Sequence, residues 1–120
     1  MFRPAPISRA TAEHYVWGDV CDGWHLVRNR ALSVIQERVP PGRGEVRHYH
    51  ASARQCFFIL AGTAQLHFDE QVVTLHAGEA LEVPPGVPHR FANDSDTEVM
   101  FLVISAPPTA GDRVNVPNAP

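Results

Sequence analysis

The sequence predicts an all-β fold, and three observations support this prediction. Eleven prolines and eight glycines interrupt the 120-residue chain at short intervals. The segments between them are short and rich in valine, leucine, isoleucine and phenylalanine. None of them shows the long 3.6-residue period of an amphipathic helix. Short strands separated by turn residues are typical of a β-sandwich or a β-barrel.

The N-terminal third, which carries both tryptophans, is the least regular part of the predicted fold. Two short strands or extended segments are predicted, at residues 13–18 and 23–27. We expect residues 1–30 to form extended segments that pack on the main barrel or on a partner subunit.

Residues 31–106 contain the strands of the predicted barrel. Their apolar segments are 31–39, 56–60, 64–68, 72–75, 80–83 and 99–104. The last segment is apolar on both faces, which is typical of a strand covered on both sides by a second sheet or by a partner subunit. Residues 107–120 are rich in proline, alanine and asparagine, and we expect them to form a loosely ordered tail.

The composition excludes several classes of function. The chain has no lysine, so it can form neither a Schiff base nor a Walker P-loop. Its formal net charge is −3 and its ten arginines are scattered, which argues against nucleic acid as a partner. Cys21 and Cys56 are too few for a disulfide framework, and the chain shows neither a signal peptide nor a membrane helix. We therefore expect a cytoplasmic protein with no membrane partner.

Two of the seven histidines are placed where they can hold one metal ion together. Side chains of a strand alternate between faces, so His48 and His50 point the same way. A short turn after His50 can bring the amide oxygen of Gln55 to the same point, and His89 follows a rigid proline-rich turn. A lone histidine on a strand is more often a surface or satisfied core residue. We interpret the other four in that way: His14, His25, His67 and His76.

Two spacing motifs resemble those of the cupin superfamily. The first runs Gly, five residues, His-X-His, three or four residues, Glu, six residues, Gly. It is matched by Gly42, His48, His50, Gln55 and Gly62, with glutamine in place of glutamate. The second runs Gly, five residues, Pro-X-Gly, two residues, His, three residues, Asn. It is matched by Gly78, Pro84, Gly86, His89 and Asn93.

The resemblance implies a double-stranded β-helix, or jelly-roll barrel, with a metal site near one mouth. The ligands would be His48, His50, Gln55 and His89. Such a set with open positions suits one divalent transition metal ion: Fe, Mn, Ni, Zn or Cu. With Gln55 in place of a carboxylate the site keeps a charge of +2, which favours an anionic ligand. The alternative is that Gln55 only tunes the affinity for the metal.

Strand alternation also predicts the lining of the cavity beside the metal. The inward-facing set is Val46, Phe57, Ile59, Leu81, Val83 and Phe91. In the last strand either Met100, Leu102 and Ile104 or Val99, Phe101 and Val103 face inward. The candidate polar groups are one of Gln36 and Glu37, and the N-terminal Tyr15, Trp17, Trp24 and His25. We therefore predict a mostly hydrophobic cavity with no acid or base identified beside the metal.

Two classes of function follow from the resemblance, and a third is kept beside them. The first is a small-molecule metalloenzyme of the dioxygenase, isomerase or lyase type, acting on an anionic or enolisable ligand. Similarity to cupins that open unsaturated uronates is partial, since residues 99–104 lack an acid. The second is a binding module without turnover, and the third is a structural protein with a vestigial site. Small cupins commonly pair, so we also expect a homodimer.

Overall fold

The computed structural model describes residues 1–117, and it confirms the all-β prediction. No α-helix occurs in that range. Eleven strands follow one another along the chain: β1 (Glu13–Trp17), β2 (Cys21–Arg28), β3 (Ser33–Val39), β4 (His48–His50), β5 (Arg54–Ala61), β6 (Thr63–His67), β7 (Val72–His76), β8 (Ala80–Val83), β9 (Arg90–Ala92), β10 (Val99–Ala106) and β11 (Arg113–Asn115).

The strands form the two faces of a jelly roll. A six-stranded sheet has the order β1-β2-β3-β10-β5-β8, and every neighbouring pair in it is antiparallel. A three-stranded sheet, β7-β6-β9, and a two-stranded sheet, β11-β4, lie in the other layer. The central positions of β10 and β5 follow from their sequences, because strands that are apolar on both faces are usually covered on both sides.

Alternate residues of the central strands are buried in the core, as expected. In β10 the buried set is Val99, Phe101 and Val103, which decides between the two sets left open above. Phe57 and Ile59 of β5 are buried on the same side, as predicted. The rings of Phe91 and Phe101 stack at a centroid distance of 4.0 Å, which joins the two layers at the middle of the barrel.

Gly62, the glycine that closes the first motif, is required by the backbone. Its φ is +86°, in the region that favours glycine. A Cβ atom at this position would lie 2.5 Å from the carbonyl oxygen of Glu98. The turn between β5 and β6 therefore packs directly against the start of β10, and a side chain cannot be accommodated there.

The C-terminal segment differs from the expected loosely ordered tail. Within residues 107–120, β11 pairs with β4, with Arg113 opposite His50 and Asn115 opposite His48. This strand is ordered because β4 offers it an otherwise unpaired edge. Residues 118–120 lie outside the described part of the chain. At the other terminus, β1 and β2 extend the six-stranded sheet from β3.

No helix within residues 1–117 is long and apolar enough to cross a bilayer.

Candidate metal centre

Backbone pairing brings the three predicted histidines together. His48 and His50 lie on β4 and are both buried, because alternate residues of a strand share a face. His89 precedes β9 and pairs with His48 through two backbone hydrogen bonds of 3.0 and 2.8 Å. One potential ligand atom from each of the three side chains lies within 4.8 Å of the other two. This cluster could hold a metal ion.

Each imidazole is oriented by a hydrogen bond from its Nδ1 atom. His48 donates to the carbonyl oxygen of Val46 at 2.7 Å, and His89 donates to that of Val87 at 2.8 Å. A carbonyl can only accept, so Nδ1 carries the proton in both rings and Nε2 keeps its lone pair. Both rings therefore present an Nε2 atom that is ready to bind a cation.

Burial keeps these two imidazoles in the neutral form. It lowers the pKa of His48 to about 4, and it also lowers the pKa of His89. Metal ligation requires a neutral imidazole, so no proton has to be displaced from either ring at neutral pH. The Nε2 atom of His89 is buried and has no hydrogen-bond partner within residues 1–117. Such an unsatisfied acceptor is costly unless a cation or a donor occupies the space beside it.

Gln55 presents the second unsatisfied acceptor. It lies on β5 beside Ser105 of β10, and its Nε2 atom donates to the Ser105 hydroxyl at 3.1 Å. This bond turns the amide so that Oε1 is left buried without a partner among the described residues. An amide oxygen and an imidazole nitrogen with unused lone pairs are donors that a divalent transition metal accepts. The residues present therefore fit a metal ion.

The third imidazole is oriented by a carboxylate from the C-terminal segment. His50 Nδ1 donates to Asp112 Oδ1 at 2.9 Å. The other oxygen of Asp112 accepts the backbone N–H groups of Ser52 and Ala53. Burial raises the pKa of Asp112, but the hydrogen bonds from Ala53, His50 and Ser52 outweigh it and lower the pKa overall. A carboxylate behind a ligating histidine fixes its tautomer and raises its basicity.

A cavity of about 270 Å³ opens beside these side chains, and it is more polar than predicted. Its lining residues are Tyr15, Trp17, Ile35, Glu37, Glu45, His50, Gln55, Phe57, Val103, Ser105, Thr109 and Arg113. Two carboxyl groups and one guanidinium therefore face a space that the sequence predicted to be mostly hydrophobic. Of the N-terminal candidates, Tyr15 and Trp17 line the cavity, whereas Trp24 and His25 do not.

Of Gln36 and Glu37, it is Glu37 that faces the cavity. It lies opposite the buried Phe101 in the register of β3 and β10, and residues opposite each other share a face. Tyr15 donates its hydroxyl proton to Glu37 Oε2 at 2.7 Å. Burial raises the pKa of Glu37 to about 8, and the nearby charge of Glu45 adds to the rise. The cavity therefore contains a carboxyl group that is mostly protonated at neutral pH.

Glu45 is a cavity residue that the sequence reasoning missed. Its Oε1 atom accepts the backbone N–H of Phe91 at 3.0 Å, and its carboxyl group lies beside His48. Strand alternation back from β4 predicts that Val46 faces inward, and it gives no reason to expect Glu45 in the cavity. Residues 45–47 are not in a strand, so the alternation fails there, and Val46 is 50% exposed. The isolated bridge between Gly44 and Ala92 turns this segment against the barrel.

The remaining histidines lie apart from the cluster. His14 pairs with Asp22 at 2.7 Å and His67 pairs with Asp94 at 3.0 Å, both at the surface. His76 is exposed, and the ring of His25 packs against Tyr15 at a centroid distance of 5.1 Å. Three histidines cluster and four lie apart, as expected, but His25 is not a satisfied core residue, because its buried Nδ1 atom has no hydrogen-bond partner within residues 1–117.

Comparison with known proteins agrees with this architecture. The cupin domain matches residues 35–105. An uncharacterised protein of Aquifex aeolicus is 31% identical over 88 residues, which are 73% of this chain and 73% of that protein. An oxalate-binding protein of Thermotoga maritima is 26% identical over 78 residues, 65% of this chain and 64% of that protein.

A solved structure extends the similarity to almost the whole chain. The polyketide cyclase RemF from Streptomyces resistomycificus superposes with a TM-score of 0.83 over 98% of this chain and 88% of its own, at 17% identity. At that identity the likeness concerns the fold. The family match covers more than half of the chain and includes the three clustered histidines, so the chain belongs to the cupin family.

Proposed function

We propose that this protein is a metal-dependent enzyme that moves protons on a small anionic or enolisable ligand, as isomerases and lyases do. In this proposal His48, His50, Gln55 and His89 hold one divalent transition metal ion: Fe, Mn, Ni, Zn or Cu. When bound, the ion supplies a Lewis acid that polarises an oxygen of the ligand. The observation that carries the proposal is Glu37, a carboxyl group with a raised pKa in the cavity that two of the proposed ligands, His50 and Gln55, also line.

Glu37 is suited to act as the general acid and base. A group whose pKa lies near the working pH can both give and take a proton. Tyr15 donates to one oxygen of Glu37, so the second oxygen is the one free to carry a proton into the cavity. Burial also raises the pKa of Tyr15, which keeps its hydroxyl group protonated and donating.

The charge of the cavity favours an anionic ligand. Arg113 lines the cavity on the side of the C-terminal segment and adds a permanent positive charge to that of the metal. An apolar cavity without acids would suit a dioxygenase, which needs few protein acids or bases. Glu37 and Glu45 remove that support, and the acid–base class becomes the better interpretation.

Proton exchange in heavy water tests this function directly. The Zn²⁺-loaded protein is incubated with pyruvate in D₂O, and loss of the methyl proton signal is followed by NMR. We expect exchange above the rate of Zn²⁺ alone, and a decrease of about 100-fold or more in the Glu37→Gln variant. The matched control is Glu82→Gln, an exposed carboxyl group paired with Arg54 outside the barrel. Equal exchange by the wild type and Glu37→Gln contradicts the proposal.

A binding module remains the second candidate, because one relative is described as an oxalate-binding protein. This candidate predicts that the Zn²⁺-loaded protein binds oxalate in calorimetry but exchanges no proton of pyruvate above the metal background. The enzyme proposal predicts exchange. The two measurements on one sample therefore separate the candidates.

We also propose that the protein is a cytoplasmic homodimer. Its two cysteines are free thiols, which suits a reducing compartment. The outer face of the six-stranded sheet carries half-buried apolar side chains in β10 and β5, including Leu102 opposite Phe58. A second copy packed on this face would remove them from water. Light scattering at micromolar concentration tests the dimer, and a species of only 13.2 kDa contradicts it.

A further inference from the structure

Tyr15 reaches Glu37 across an intervening strand. In the six-stranded sheet β2 lies between β1 and β3, and the register places Tyr15 opposite Gly23 and Gly23 opposite Glu37. Neighbouring strands are about 4.7–4.9 Å apart, so the backbones of Tyr15 and Glu37 are separated by about 10 Å. The hydroxyl group of Tyr15 nevertheless donates to Glu37 Oε2 at 2.7 Å. The side chain of Tyr15 therefore leans over β2 instead of standing upright on its own strand.

The residue that the tyrosine ring crosses is a buried glycine. A Cβ atom at Gly23 would lie 2.5 Å from Cε1 and from the hydroxyl oxygen of Tyr15, and closer still to Cζ. Carbon atoms in favourable contact are about 3.5–4.0 Å apart, so these distances are clashes. The ring of Tyr15 thus occupies the space that the side chain of any other residue at position 23 would fill.

The backbone itself does not require a glycine at position 23. Unlike Gly62, Gly23 has no positive φ, and it lies within the regular pairing of β1, β2 and β3. Glycine weakens the interior of a strand, and it often marks a place where another group approaches closely. Here that group is the ring of Tyr15, which the ring of His25 also contacts at a centroid distance of 5.1 Å.

We propose that Gly23 is a positioning residue for Glu37, because it leaves the space in which the Tyr15 ring crosses β2 to hold one carboxyl oxygen of Glu37. A side chain at position 23 would push the ring aside, and Glu37 would lose the donor that fixes its orientation. Misplacement of a reacting group by about 1 Å can cost about 100-fold in rate. This inference rests on the proton transfer proposed for Glu37, but the crossing of β2 can be tested without activity.

Urea unfolding of the metal-free protein tests the crossing. Gly23→Ala is compared in two backgrounds, the wild type and Tyr15→Ala, in which the ring is absent. We expect it to lower the urea midpoint by about 1 M in the wild type, because overpacking is costly, and not to lower it in Tyr15→Ala. If Gly23→Ala alone does not fold, the double variant is expected to fold again, as circular dichroism would show. An equal decrease in both backgrounds overturns the inference, because the added methyl group then meets something other than the ring.

Proton exchange of pyruvate in D₂O tests the consequence for Glu37. We expect Gly23→Ala and Tyr15→Phe each to slow exchange about 10-fold, and the double variant to lose no more than either single variant. Tyr49→Phe is the control, since Tyr49 alternates with the two histidines of β4 and faces away from them.

Two kinetic results would overturn the inference. The first is wild-type exchange in Gly23→Ala. The second is a double variant whose loss is the product of the two single losses, which indicates that Gly23 acts independently of Tyr15. If the wild type exchanges no proton, the proposed function of Glu37 fails and the catalytic role of Gly23 fails with it, whereas the urea comparison still decides whether the ring crosses β2.

Discussion

The cavity has two walls of different origin. The motif wall, formed by His48, His50, Gln55 and His89, reaches the cavity through His50 and Gln55. It comes from strands and turns at fixed spacings within about fifty residues. The acid wall, formed by Tyr15 and Glu37, joins the N-terminal strand to β3. Local spacing specifies the motif wall, whereas only the pairing of distant strands creates the acid wall. The two walls also differ in the roles that we propose for them, since the motif wall would bind the metal and the acid wall would transfer protons.

The largest expected effect comes from removing a histidine of the motif wall. His89→Ala deletes the buried, unsatisfied Nε2 atom and should abolish stoichiometric binding of divalent metal while leaving the barrel folded. The measurement is metal content after dialysis, with circular dichroism as the check on folding. His76→Ala, at an exposed position, is the control and should bind as the wild type does. Full metal content in His89→Ala contradicts the proposed ligand set.

We expect the acid wall, unlike the motif wall, to make the stability of the metal-free protein depend on pH. Glu37 has a pKa of about 8 in the folded chain and 4.5 as the ordinary value, so the folded state binds this proton more tightly. The contribution of Glu37 to the stability of the folded state is therefore complete below pH 4.5, and it is lost as the pH rises through 8. The metal-free Glu37→Gln variant should therefore gain stability relative to the wild type across this window, by a few kcal/mol.

Urea unfolding of both proteins at several pH values measures this gain. The groups facing Glu37 that contribute are Tyr15, Glu45 and Arg113. A stability difference that stays constant between pH 4.5 and 8 would show that Glu37 titrates normally.

A third experiment tests how strongly the C-terminal segment supports the motif wall. Asp112→Asn removes the charge behind His50 and should weaken metal binding by about 10- to 100-fold. Asp94→Asn is a matched control, since Asp94 pairs with the surface His67 in the same way. Isothermal titration with Zn²⁺ gives both affinities. Equal affinity in the wild type and Asp112→Asn would show that the segment has no influence on the metal.

The smallest expected effect concerns the orientation of Gln55. Ser105→Ala removes the hydroxyl that accepts from the Gln55 amide, so the amide can rotate and its oxygen is no longer held toward the cluster. We expect Zn²⁺ affinity to fall by less than about 10-fold, since one neutral hydrogen bond contributes about 1 kcal/mol. Ser33→Ala, opposite Ser105 in the register of β3 and β10, is the control. An effect as large as that of His89→Ala would contradict this ranking.

The comparison of the walls also explains what could be predicted from the sequence. Alternation in β5 located Phe57 and Ile59, because this strand is regular and central. In β10 alternation left two apolar sets open, and only the structure decides between them. It failed at Glu45 and Val46, where the backbone leaves the strand conformation. It could not choose between Gln36 and Glu37, since only the register with β10 decides which of them faces inward.

The C-terminal segment could not be predicted for a different reason. Its composition is that of a flexible tail, and nothing local in residues 107–117 favours a strand. The order comes from the edge of β4 and from the bonds of Asp112 to His50, Ser52 and Ala53, all about sixty residues away in the chain. Pairings of this kind depend on the finished fold.

The pairing of β11 with β4 has a consequence for how the site forms during synthesis. The chain leaves the ribosome from its N-terminus, so β4 and His50 emerge 62 residues before Asp112. The barrel strands can begin to assemble in that interval, but His50 lacks its carboxylate partner until Asp112 follows. In the proposed metal site, tight capture of the ion would therefore be a late event in biogenesis, delayed until β11 has been translated.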